Sequence, residues 1–105
     1  MNTQLTVAYI VEHTLGYKWM LSVLYLLRAD ISRPGAIVRA VDGLTSKVLN
    51  DRLTKLLDFG IVTKTIHPEI PPRVEYNFTE FGRHFIKILD TIDELEALPH
   101  HCSKS

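Results

Sequence analysis

Three features of this 105-residue sequence predict a mainly helical α+β fold. First, Trp19 to Leu27 is apolar nearly all round, the pattern of a helix buried on most of its sides. Second, two amphipathic stretches meet at Asp42-Gly43-Leu44, a turn of the length a helix-turn-helix uses. Third, a β-branched run from Ile61 to Ile66 and an alternating run from Val74 to Phe78 flank a proline-stiffened loop, which reads as a hairpin. Together they predict a winged helix-turn-helix with a two- or three-stranded β-wing and additional N- and C-terminal dimerisation helices. Residues 1-105 are expected to form one domain, with 1-3 and 99-105 as flexible tails.

The first helix is expected over residues 4–15. Val7, Ile10, Val11 and Leu15 stand at helical spacing, and Gly16 is a plausible stop. About three turns of helix need a packing partner. The central helix follows over 17–28, with Lys18 and Arg28 at its ends. After a short connector, Pro34 suits a first helical position, and Ser32 could add a small third strand to the hairpin. Ala36, Ile37, Ala40 and Val41 form one apolar face, and Gly43 ends this helix.

Residues 45–59 form the candidate recognition helix, capped by Thr45. On a helical wheel Val48, Leu49, Leu53, Leu56 and Leu57 fall on one arc, and Lys47, Asn50, Asp51, Thr54, Lys55 and Asp58 on the other. The outward face carries groups that hydrogen-bond base edges (Asn50, Lys47) or phosphates (Lys55, Thr54), although any solvated helix face carries charges and Asp51 and Asp58 would repel phosphate. Arg52, at the apolar margin, could reach a phosphate or tie the helix to its neighbour.

In the hairpin, Val74, Tyr76 and Phe78 alternate with Arg73, Glu75 and Asn77. Pro71 and Pro72 lack the amide proton a ladder needs, so they belong to the tip, His67 to Arg73. Thr79 can cap a last helix running from about Glu80 to Leu98. Its stripe of Phe81, Phe85, Ile88, Ile92 and Leu95, widened by Ile86 and Leu89, is wide enough to face its own core and another chain. A homodimer joined by Val7, Ile10 and Val11 of the first helix and Ile88, Ile92 and Leu95 of the last is expected.

Formal net charge is zero, which argues against binding nucleic acid by bulk charge alone. The charge is unevenly placed. Residues 28–73 hold eight Lys/Arg against five Asp/Glu, whereas residues 80–98 hold two against five. Cys102 is the single cysteine, so no intrachain disulfide forms, as suits a reducing compartment. No signal peptide is visible and no apolar run is long enough to span a bilayer, so a soluble, cytoplasmic chain is expected.

Several strings resemble the HxlR-type family of winged helix-turn-helix transcriptional regulators, within the MarR-like group. Gly16-Tyr17-Lys18-Trp19 is similar to that family's G-G-K-W, with Tyr17 replacing a glycine. Residues Leu44 to Leu53 are similar to I-S-x-K-x-L-x-x-R-L, and Leu56 to Val62 to L-x-x-x-G-L-V. The most specific string, Pro71 to Gly82, is similar to P-P-x-V-E-Y-x-L-T-x-x-G. The resemblance covers roughly residues 12 to 95. It implies a homodimer, a recognition helix in the major groove, a wing reaching the minor groove, and no enzyme activity. Where the family has R-F-x-E-L, this chain has Arg33-Pro34-Gly35-Ala36-Ile37. The N-terminal cysteine of many members is missing, so thiol sensing is not carried over.

The expected function is that of a sequence-specific regulator binding double-stranded DNA as a two-fold dimer on a near-palindromic operator. Lys47 and Asn50 are assigned to base reading, and Thr45, Ser46, Thr54, Lys55, Arg33 and Arg52 to backbone positioning. Arg73 is assigned to the minor groove. The alternative is a winged-helix protein–protein adaptor, favoured by the zero net charge and by Asp51 on the reading face. No pattern of catalytic residues is present, and no cofactor is assigned. His100-His101-Cys102 is not assigned a metal, because adjacent histidines seldom converge on one ion. A small-molecule effector stays open as a partner. Tyr9, Trp19, Tyr25 and Phe81 could line its cavity, though core packing accounts for them better.

Overall fold

The computed structural model describes residues 6–99. The tail motif His100-His101-Cys102 lies outside the described residues. The elements run α1 (Val7–Leu15), α2 (Met20–Arg28), α3 (Pro34–Ala40), α4 (Ser46–Asp58), β1 (Val62–His67), β2 (Arg73–Phe78), α5 (Glu80–Phe85) and α6 (Lys87–Ala97). This is the expected winged arrangement: mainly helical, with an antiparallel hairpin as the only sheet among the described residues. No described helix is long and apolar enough to cross a membrane.

The core forms where the apolar faces converge. Met20, Val23, Leu24 and Leu27 of α2 are buried, as are Ile37 of α3 and Leu49, Leu53 and Leu56 of α4. The Pro34 start delivers Ile37 to the core, so the Arg33-Pro34-Gly35 entry makes a docked helix packed on α4. That helix ends at Ala40 rather than at Gly43, which sits in the turn at φ +87°. The central helix starts at Met20, leaving residues 16–19 as a turn.

The wing pairs Val62 with Phe78, Lys64 with Tyr76, Ile66 with Val74 and His67 with Arg73. No third strand forms among the described residues. Ser32 contributes one bond, its carbonyl accepting the Tyr76 amide at 3.1 Å. At the base of the wing the Thr79 hydroxyl donates to the Gly60 carbonyl at 2.6 Å and accepts the Gly82 amide at 2.8 Å. The T-x-x-G end of the string is therefore a lock between α5 and the turn leaving α4.

The last helix is not continuous. It divides at Ile86 (φ −70°, ψ −5°), where i→i+3 bonding tightens the chain between α5 and α6. Phe85 and Leu89 on either side of the break are both buried, so the core, not the even stripe, sets the geometry. Leu89, expected only to widen the stripe, is the buried residue of α6.

A polar clamp ties α6 to α2. Arg28 donates to Asp90 at 2.9 Å and to Asp93 at 3.0 Å, and the Tyr25 hydroxyl donates to Asp93 at 2.9 Å. The Tyr25 bond, then the Arg28 bond, hold the Asp93 carboxyl below the usual aspartate range. The stability this group contributes is therefore present above the ordinary aspartate pKa and lost as pH falls through its lowered value. Tyr25→Phe is expected to move the Asp93 titration upward in a carboxyl NMR experiment. An unchanged titration would remove the phenol as its principal cause.

Candidate nucleic-acid interface

Thr45 opens α4 by accepting the Val48 amide at 3.2 Å, which commits its hydroxyl to the cap. The outer face then carries Ser46, Lys47, Asn50 and Thr54, all exposed. Thr54 donates back to the Asn50 backbone carbonyl at 2.8 Å, and the Asn50 side-chain amide has no partner among the described residues. Lys47 likewise has no ion pair among the described residues. The structure thus brings the two residues assigned to base reading onto one exposed surface.

Arg52 and Lys55 sit differently. Arg52 is only 16% exposed; its Nε donates to the Lys18 carbonyl at 2.8 Å and Nη1 pairs with Asp51. Its guanidinium lies 5.2 Å from the Tyr17 ring centroid, and the Lys55 ammonium 5.0 Å from the same ring. Of the two roles open to Arg52, the structure shows the tie to the neighbouring segment. Both cations also pair with Asp51, which offsets one of the two acidic charges, Asp51 and Asp58, that would oppose DNA on this face.

The turn at 16–19 is therefore a platform under the helix-turn-helix. Tyr17 carries two cations of α4, Lys18 offers its carbonyl, and the Trp19 ring lies within 3.5 Å of where a Cβ on Gly43 would stand. Trp19 itself takes φ +74°, a left-handed backbone uncommon outside glycine. Sequence reading missed this platform, because neither periodicity nor charge shows that residue 17 will meet residues 52 and 55.

Arg33 stands at the α3 N-cap, exposed, with Nε 3.9 Å from Glu75. Arg73 is the first residue of β2 rather than the end of the tip. It is half-buried, with Nη2 3.3 Å from Glu69. Beside it His67 Nε2 lies 2.8 Å from the Glu75 carboxylate, the principal cause of the lowered Glu75 pKa. The tip itself presents Ile70, fully exposed between Glu69 and Pro71.

The apolar residues assigned to a dimer surface divide. Val7 and Leu95 are exposed, Leu95 at 58%, and Val11, Ile88 and Ile92 are half-buried. Ile10 does not belong with them; at 6% exposure it packs in its own chain's core. Leu15, Leu98 and Tyr9 add exposed apolar area that the sequence reading did not assign. The four aromatics considered for an effector cavity do not converge. Tyr9 stacks on His13, Trp19 lies against Gly43, Tyr25 binds Asp93 and Phe81 rests against Phe85.

Comparison with known proteins gives a consistent picture. The family described as HxlR-like helix-turn-helix matches residues 14–101. An uncharacterised HTH-type transcriptional regulator of Methanothermobacter thermautotrophicus is 35% identical over 85 residues, covering 81% of this chain and 65% of the relative. Another, sll1512 of Synechocystis, is 38% identical over 81 residues, covering 77% of this chain and 60% of its own length. The chain thus spans somewhat less than two thirds of these two relatives. A crystal structure of a MarR-family transcriptional regulator from Enterococcus faecalis V583 superposes with a TM-score of 0.74 at 32% identity, over 91% of this chain and 86% of that one.

Proposed function

The chain belongs to the HxlR-like helix-turn-helix family of transcriptional regulators, and from that premise we propose that it binds duplex DNA sequence-specifically, as a homodimer on a near-palindromic site. The observation that carries this reading is the outer face of α4. Lys47 and Asn50 are exposed there, with no side-chain partner among the described residues, on a helix braced by the Tyr17 platform. Asn50 reads adenine edges and Lys47 guanine edges or a phosphate. Ser46, Thr54, Arg33 and the Thr45 cap set the helix on the backbone, while Arg52 and Lys55 act from the helix margin. The chain works as one domain, and its apolar α1 and α6 surfaces face the second copy. That places two recognition helices roughly 34–36 Å apart, in successive major grooves.

The test is an anisotropy titration against a duplex pool at two salt concentrations, followed by selection from the pool. Salt-sensitive binding that enriches a two-fold symmetric sequence is expected. No binding at low salt by folded dimer would sink the reading. Arg73→Ala is expected to weaken binding and to flatten the salt dependence by roughly one unit of slope. An unchanged slope would take the wing arginine out of the contact set. A second reading, a protein–protein adaptor, draws on the exposed Ile66 and Ile70 of the wing, and it predicts no DNA binding under any of these conditions.

A further inference from the structure

We propose that the groove between α3 and the wing is a seat for a phosphate-type oxyanion, walled by Arg33, Arg39 and Arg73. This rests on the DNA reading for its principal occupant, a backbone phosphate, but its chemistry is the same for a free anion. The groove has a volume of about 520 Å³ and is open to solvent. Three arginines line it against one acidic residue, Glu69. Like charges held together in one groove are relieved by an anion placed among them.

Each arginine has donors left for such a guest. Arg33 makes only a long pair with Glu75, at 3.9 Å. Arg39 has no hydrogen bond or ion pair among the described residues. Its Nη1 lies 3.4 Å from where a Cβ on Gly35 would stand, so the guanidinium folds back over bare backbone at the groove wall. Arg73 reaches Glu69 through Nη2, yet its Nε is buried with no acceptor among the described residues. A buried donor without a partner is uncommon in folded proteins, and a small turn of the half-buried Arg73 side chain would bring it to an oxyanion in the groove. A tetrahedral oxyanion offers acceptor oxygens in several directions, which suits arginine forks converging from two elements. Pro34, Pro71 and Pro72 stiffen both walls, so little ordering is needed on binding. Arg39 is the newly assigned residue, since neither spacing nor resemblance marked it.

The test uses Arg39→Gln, whose side chain has no partner to lose and which should leave the fold intact. In DNA titrations it is expected to flatten the salt slope by roughly one unit and weaken binding roughly fivefold at physiological salt. Arg39→Lys should keep the slope. Glu69→Gln, which removes the competing carboxylate, should tighten binding. In a second arm, DNA-free protein is titrated with inorganic phosphate against chloride of equal ionic strength, following the Arg73 Nε–H signal by NMR. A saturable shift with phosphate, lost in Arg39→Gln, shows that the seat takes a free anion as well. That shift in a protein that binds no DNA would keep the seat, assign it to free anions and end the DNA reading. A flattened slope without the shift assigns it to the DNA backbone alone. No phosphate-specific shift, together with either a wild-type slope in Arg39→Gln or no DNA binding at all, would overturn the proposal.

Discussion

Gly82→Ala is expected to destabilise the protein by about 3 kcal/mol, the upper range for overpacking a close-packed site. Gly82 is buried in α5, and a Cβ there would stand 1.9 Å from the Ile61 carbonyl oxygen. That oxygen belongs to backbone and accepts the Thr79 amide at 3.0 Å, so it cannot turn aside as a flexible side chain would. Relief requires α5 to lift from the turn, which breaks the Thr79 lock and loosens the hairpin behind it. For a domain of this size the melting temperature should fall by roughly 10–20 °C. Gly60→Ala is the informative control. Nothing lies within 4 Å of its missing Cβ, but its φ is +74°, so only the backbone term applies, about 1 kcal/mol. Calorimetry of both variants decides the matter. Equal losses would mean that the close approach at Gly82 relaxes at no cost.

On the proposed dimer, the double variant Ile92→Asp, Leu95→Asp is expected to abolish self-association and, with it, tight binding to the proposed operator. Ile92 is half-buried and Leu95 exposed, and with Leu98 they form an apolar notch on the outer side of α6. Placing unpaired carboxylates in a buried interface costs about 3–5 kcal/mol, which weakens dimer association roughly a hundred- to several-thousandfold. Each freed monomer keeps its recognition helix but loses the effective concentration that the second half-site provides, typically worth 10²–10⁴ in avidity. Sedimentation should show monomer, and circular dichroism should show the helical fold retained, because the fully buried Leu89 anchors α6 while Ile92 packs against the core only in part and Leu95 is exposed. A variant that still sediments as a dimer would move the interface away from α6. The Arg28 clamp bears on this outcome, since it holds α6 against α2 at Asp90 and Asp93 and fixes the angle at which the notch is presented.

Much of this architecture was legible in the residues themselves. The apolar central helix, the two helices about Gly43, the Thr45 and Thr79 caps and the hairpin itself all follow from periodicity and local bonding. Pro34 at the first position of α3 is a local choice too, since the ring presets φ and the missing amide is not needed there. The face of α4 that carries Lys47 and Asn50 was readable for the same reason. A helix of known pitch with a leucine arc leaves one side outward.

The positions where the reading stopped are those decided across the chain. Periodicity gave the last helix an even stripe, but Phe85 and Leu89 both turn into the core and the helix divides at Ile86. Ile10 shared its spacing with Val7 and Val11, yet the core took it, because burial depends on what packs opposite and not on the helix alone. Arg52 and Lys55 were legible as cations. That they lie over Tyr17 required residues more than thirty apart to meet. The same holds for Arg39 beside Arg73. By itself the sequence determined which segments become helix, wing and turn, because those choices rest on contacts within a few residues. Only the tertiary structure decided which cations remain free for a ligand and which are held in place, because a charge is committed or available according to its neighbours in space.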